Sequence, residues 1–270
     1  MTFPVHPMDE TNDDAPVGHV LSRREVLAFL GTAGVALFVG RDFMQGTGTP
    51  TPAATQAAGA TPTATSIPAC VVRPEMTEGP YFVDEMLKRV DIRTDPSDNS
   101  VKEGVPLHLT FRVSQIDSSA CKPLEGAQVD IWHCDALGHY SDVQAENTVG
   151  KKYLRGYQMT DASGIAEFQT IYPGWYRGRT VHIHFKIRKN TTTNKAFEFT
   201  SQLFFDDEQS AEIFKLAPYN QKGKQDTPNA RDGIYRDGGE QLLLTLVKDA
   251  KGEGYNATFD IGLNMVQLGK

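Results

Sequence analysis

The segment Tyr172-Pro-Gly-Trp-Tyr-Arg-Gly-Arg-Thr-Val-His-Ile-His-Phe185 concentrates groups able to do chemistry. His182 and His184 flank Ile183, and on a strand the two-residue period sends both imidazoles to one side. Two neutral imidazoles side by side are half of a metal site. Alone the pattern is weak, because many strands carry such a pair with no metal role. Tyr176 precedes the first of these histidines by six residues, on a Pro-Gly loop that can fold back over the strand end. A second segment, Val129-Asp-Ile-Trp-His-Cys-Asp-Ala-Leu-Gly-His-Tyr-Ser141, ends a strand near His133 and then presents Tyr140 from a glycine-containing turn. A tyrosine in such a place is most often a packing aromatic with a wet hydroxyl. His133 and His139 are further candidates, but their spacing suits no compact site.

Taken in order with Thr77-Glu-Gly-Pro-Tyr-Phe82 before them and Phe199-Thr-Ser-Gln-Leu-Phe-Phe205 after, these segments resemble the intradiol ring-cleavage dioxygenases. The likeness is to the catalytic sandwich shared by catechol dioxygenases and protocatechuate 3,4-dioxygenase, and it runs over residues 70–265. It implies one non-haem ferric ion held by Tyr140, Tyr176, His182 and His184. Arg179 matches the arginine that stabilises negative charge developing on the substrate. Gln202 lines the same pocket, and Tyr81 is a reasonable wall of it. The implied reaction is cleavage of a catechol-type diol by O2 to a cis,cis-muconate-type diacid. The segment between Tyr176 and His182 is shorter than in protocatechuate enzymes, and the helical N-terminal region of catechol enzymes is missing. Both features look like the exported, single-domain branch of the family.

The ligand chemistry supports that set. Phenolates are hard anionic donors that favour the ferric state. Ferric iron, two tyrosinates and one hydroxide carry no net charge. Replacing the hydroxide and one tyrosinate by a catecholate dianion keeps the sum at zero, so ligands exchange without burying net charge. By resemblance Tyr176 is the tyrosinate that leaves, and Tyr140 stays.

Strands must position these groups. Leu107, Leu109, Phe111 and Val113 alternate within Pro106–Ser114. Further strands are expected over 127–133, 154–160, 165–171, 180–186, 199–205, 241–247 and 255–261, with one short helix over 207–216. About eight short strands with long loops and one short helix predict an all-β, antiparallel sandwich over residues 69–270.

The rest of the chain reads as address and tether. Ser22-Arg23-Arg24 stands before an apolar run from Val26 to Gly40, the pattern of a twin-arginine signal in residues 1–46. That run is short for a bilayer core needing roughly 20 residues. Residues 47–68, TGTPTPAATQAAGATPTATSIP, cannot bury enough surface to offset ordering entropy and read as a disordered spacer. The protein is therefore expected outside the cytoplasm, carried by the twin-arginine machinery. There a disulfide is permitted, and Cys70–Cys121 is the expected pairing of the three possible, leaving Cys134 over. Acidic residues outnumber basic ones 34 to 27 in the 270 residues, for a net charge of −7, which argues against nucleic acid as a partner. The runner-up reading is a non-catalytic secreted β-sandwich binding module, and a zinc site using only the two histidines is a third. Colour separates them, because tyrosinate bound to ferric iron is red while zinc or empty protein is colourless.

Overall fold

The computed structural model describes residues 71–117, 120–190 and 196–265. Residues 1–46 and 47–68, with Cys70, lie outside that range. Among the described residues no helix is long and apolar enough to cross a membrane.

Among the described residues nine strands form two sheets. In the first, β1 (Pro106–Ile116) is central. β2 (Cys121–Pro123) and β5 (Ile165–Ile171) pair with β1 antiparallel, and β9 (Tyr255–Asn264) pairs with it in parallel. β8 (Leu246–Lys248) extends the sheet beyond β9. The second sheet runs β4 (Arg155–Met159), β3 (Gln128–Trp132), β6 (His182–Asn190), β7 (Ala196–Phe204), antiparallel throughout. Nine strands therefore replace the expected eight, and the β1–β9 pair departs from the antiparallel expectation. A parallel partner must return by a long connection, so local sequence pattern gives no sign of it.

The strand expected over 241–247 is mostly absent. A 3-10 turn at Gly239–Leu242 precedes the three-residue β8. The helix expected over 207–216 is α1 (Asp207–Ile213), with Asp206 accepting from the Gln209 amide at 2.9 Å as its N-cap. A second short helix, α2 (Gly233–Arg236), is capped by Asp232. Cys121 is disulfide-bonded, and Cys134 carries a free, buried thiol.

The alternating face of β1 enters the core as its pattern requires: Leu107, Leu109, Phe111 and Val113 are all buried. Phe111 meets Phe168 and Phe259 from its own sheet, and Phe185 from β6 at 5.3 Å between ring centroids. Ile183, Phe185 and Ile187 fill the core side of β6. His182, His184 and Lys186 point the other way and are nevertheless buried. Something must cover that outer face, and the candidate site lies beneath the cover.

Phe111 ties the two sheets together through these ring contacts. Phe111→Ala is expected to lower the unfolding free energy by about 3–5 kcal/mol, from lost burial plus a cavity the sheets cannot fully close. Urea denaturation checks this, and a cost under about 1 kcal/mol would mean the sheets do not depend on this ring cluster.

Candidate metal centre

The outer face of the second sheet supplies a row of three side chains. Trp132 on β3 stands opposite His184 on β6, and His184 stands opposite Gln202 on β7. The Trp132 indole lies flat against the His184 imidazole, with centroids 5.0 Å apart and planes within 7°. His182 sits two residues away on the same face.

The two tyrosines arrive on loops that are pressed together. The Pro173-Gly174 turn crosses the end of β3 so closely that a Cβ on Gly174 would lie 2.5 Å from the carbonyl oxygens of Asp135 and Ala136. Gly138 has φ +83°, and a Cβ there would lie 2.1 Å from the Trp175 carbonyl oxygen. Only glycine lets the loops approach this closely. As a result Tyr176 Oη reaches 3.1 Å from His182 Nε2, and Tyr140 Oη reaches 3.5 Å from the same atom. His184 Nε2 is 3.0 Å from His182 Nε2. All four expected ligands thus turn their donor atoms toward one point.

Burial sets their protonation. It pushes His182 down to about 3, with the nearby Arg179 cation acting in the same direction. It holds His184 well below the usual histidine range, helped by His182 and Arg179. It raises both Tyr140 and Tyr176 above the ordinary phenol range, although Arg179 pulls each of them back. The resting set is therefore two neutral imidazoles and two phenols. His182 Nδ1–H donates to the Thr180 carbonyl at 2.6 Å, which leaves the Nε2 lone pair facing the other donors. Nδ1 of His184 is buried with no hydrogen-bond partner among the described residues, so the polar contact of this ring is on the side of the cluster.

Among the described residues no group of three or more His, Cys, Asp or Glu comes together. A metal held here would need the tyrosines as well as the histidines. Two imidazole lone pairs and two ionisable phenols fit a hard, highly charged cation, whose field would ionise the phenols against the burial that keeps them protonated. The residues present therefore fit ferric iron.

Arg179 and Gln202 are joined: Arg179 Nη2 donates to Gln202 Oε1 at 2.5 Å, and Gln202 Nε2 donates to the Thr77 carbonyl at 3.0 Å. Tyr81 stacks on Tyr140 at 4.5 Å and meets Tyr176 edge-on at 6.1 Å. Its segment is strapped over the outer face. Glu78 pairs with Lys186, Lys186 lies 4.2 Å above the Phe82 ring, and Asp84 pairs with Arg188 at 2.6 Å.

Two groups in the cluster's support escape sequence reasoning. Arg155 is almost fully buried, donating to the Tyr81 carbonyl at 2.6 Å and to Ser141 Oγ at 2.8 Å, and thereby joins the strap to the Tyr140 loop. Asp232 accepts from Arg179 Nε at 2.9 Å. Its burial would raise the carboxyl, but Arg179 and the Thr180 amide bring it below the ordinary value, so it is ionised. Neither stands next to a ligand in sequence, and no local spacing marks them.

The two further candidate histidines, His133 and His139, stay out of the site. His139 is 53% exposed and faces Asp135. His133 is a core histidine, bonded through Nδ1 to the Cys134 carbonyl at 2.8 Å and through Nε2 to Thr170 Oγ1 at 2.6 Å.

A β-sandwich that gathers two tyrosines and two histidines on the covered face of one strand defines a candidate mononuclear metal protein. The profile of a family described as "Dioxygenase" matches residues 77–263. An intradiol ring-cleavage dioxygenase from Tetranychus urticae is 31% identical, with a TM-score of 0.62, over 73% of this chain and 96% of that one. The dioxygenase domain of a dioxygenase–carbohydrate-binding fusion from Streptomyces sp. SirexAA-E is also 31% identical, with a TM-score of 0.51, over 72% and 98%. Catechol 1,2-dioxygenase 1 from Acinetobacter lwoffii is 27% identical over 67% of this chain and 63% of its own length. The chain thus spans less than two thirds of that curated relative. It belongs to the intradiol ring-cleavage dioxygenase family.

Burial lowers His133 to about 4 from an ordinary 6.5. Between those values the unfolded chain binds a proton that the folded chain refuses. Stability from this group is therefore complete above pH 6.5 and is lost as pH falls toward 4. In metal-free protein, the unfolding free energy of wild type relative to His133→Gln is expected to drop by roughly 3 kcal/mol across that range. Urea denaturation of both proteins at several pH values measures it, and parallel pH profiles would refute the buried-neutral assignment.

Proposed function

We propose that this chain is a ferric, non-haem oxidoreductase that cleaves a catechol-type diol between its two hydroxylated carbons. Both atoms of O2 enter the product, a cis,cis-muconate-type diacid. The observation that carries the reading is the meeting of Tyr140, Tyr176, His182 and His184 at one buried point in a member of this family.

These four residues would hold the iron. When bound, ferric iron supplies Lewis acidity toward a chelating diol and one-electron chemistry toward O2. Tyr176, on the loop after Pro173-Gly174, would accept one diol proton at Oη once its phenol is ionised. Tyr140 is packed against Tyr81 and held at its backbone, where its amide donates to Glu146 Oε2 at 2.5 Å and its carbonyl accepts from Thr148 Oγ1 at 2.6 Å. Of the two, Tyr140 is the one we assign as the permanent ligand. Arg179 and Gln202 supply directed N–H groups toward oxygens that gain negative charge. The strap bearing Tyr81 keeps bulk water from the reacting centre.

Metal analysis and oxygen uptake test this reading together, using catechol, protocatechuate, hydroxyquinol and substituted catechols. His182→Ala and His184→Ala should each take iron from about one per chain toward background, since each removes one of four protein ligands. Tyr140→Phe should weaken iron retention and bleach the red band. Tyr176→Phe should keep iron and turn over slowly. Stoichiometric zinc without iron in active protein, or no turnover of any catechol by iron-loaded protein, would overturn the assignment.

We also propose that residues 1–46 direct export through the twin-arginine route, on the Arg23-Arg24 pair and the apolar run after it. Replacing both arginines with lysine should leave the protein in the cytoplasm on fractionation. Unchanged export would reject the route.

A further inference from the structure

Arg179 and His182 are separated by Thr180 and Val181, and one distant carboxylate is bonded to the start of that short stretch. Asp232 Oδ2 accepts from Arg179 Nε at 2.9 Å and from the Thr180 amide at 2.8 Å. The Thr180 carbonyl in turn accepts from His182 Nδ1–H at 2.6 Å. The other oxygen of Asp232 is committed to α2, where Oδ1 accepts from the amides of Ile234 at 2.8 Å and Tyr235 at 3.0 Å. The same loop supplies a second tie: Asn229 Oδ1 accepts from Thr180 Oγ1 at 2.6 Å, and Asn229 Nδ2 donates to the Phe205 carbonyl at 2.8 Å. The Asp232 side chain is only 1% exposed, and that of Arg179 is 7% exposed.

This geometry has two consequences. A guanidinium held at Nε by Asp232 and at Nη2 by Gln202 has one orientation available, so its remaining N–H edge points in a fixed direction. The same oxygen also fixes the peptide between Arg179 and Thr180, one peptide before the Thr180 carbonyl that accepts from His182 Nδ1–H. We infer that Asp232 is a positioning residue for ring cleavage: it aims Arg179 at the reacting oxygens. The inference rests on the proposed intradiol reaction and adds a residue from the C-terminal segment to it.

Because Asp232 also caps α2, the test must separate capping from positioning. Serine can accept from an N-terminal helix amide but is too short to reach the guanidinium. Asp232→Ser and Asp232→Asn are therefore compared, each alone and combined with Arg179→Ala, in iron-loaded full-length protein. Asp232→Ser is expected to keep iron and lower kcat about 10- to 100-fold with KM changed less than about 3-fold, the scale expected when a catalytic group is misaimed. In the Arg179→Ala background the same change should cost less than about 3-fold, because the group it aims is gone. Asp232→Glu should recover part of the rate. Metal-free protein gives a readout independent of turnover. The Arg179 Nε–H proton, protected from exchange in wild type, should exchange freely in Asp232→Ser and Asp232→Asn. Normal kcat in Asp232→Ser, or an equal loss with and without Arg179, would overturn the positioning role while wild-type turnover stands. If Asp232→Ser and Asp232→Asn do not fold, Asp232→Glu with wild-type kcat but an unprotected Arg179 Nε–H would overturn it equally. Absence of ring cleavage in wild type would instead sink the function reading beneath it.

Discussion

Burying four polar side chains head to head, where water cannot satisfy them, is the constraint around which this protein is arranged. His182, His184, Tyr140 and Tyr176 are neutral because burial keeps them so, and neutrality leaves lone pairs and hydroxyl groups pointing at one another. A well-placed cation resolves that tension by ionising the phenols. The surrounding structure prevents the other resolution, which is for the side chains to swing out to solvent. The strap from Thr77 to Asp84 closes one side, the Trp132 indole backs His184, and the two glycine turns keep the tyrosine loops from separating.

The cover is electrostatic where the core is apolar. The inner face of β6 packs isoleucine and phenylalanine against the opposite sheet. The outer face continues past the histidines with Lys186 and Arg188, which hold the strap through Glu78, Phe82 and Asp84. One strand therefore bears the core on one side and, on the other, both the candidate ligands and the fastening of their lid. The Asp84–Arg188 pair is partly exposed and contributes little by itself, whereas Lys186 is buried against the strap, so the lid is fastened by several contacts together.

Much of this was legible from residue order. The alternation in β1, the paired histidines of β6 and the Pro-Gly and glycine turns before Tyr176 and Tyr140 are local patterns, and local patterns report local geometry. The four candidate ligands could be named because resemblance fixed which tyrosines to choose; spacing alone left Tyr140 a packing aromatic. Asp232 and Arg155 were invisible for a physical reason. Each acts from a segment far along the chain, through contacts that exist only once the sheets and loops have closed. The short β8 and the helix capped by Asp232 lie in a stretch whose form is dictated by packing rather than by periodicity. The parallel β1–β9 pair belongs to the same class.

That pair has a consequence for the order in which the molecule assembles. β9 lies along β1 from Leu107 opposite Tyr255 to Ile116 opposite Asn264, inside the first sheet rather than at its rim. The first long strand of the domain thus waits for the last one before its second edge is filled. Until then β1 exposes a row of unpaired amides and carbonyls, the condition that invites pairing with another chain. Contacts so far apart in sequence close slowly. A ribosome must release nearly the whole domain before this sheet, against which the core side of the tyrosine–histidine sheet packs, can be completed. The C-terminal strand is in effect the latch on a chain that stays open throughout its own synthesis.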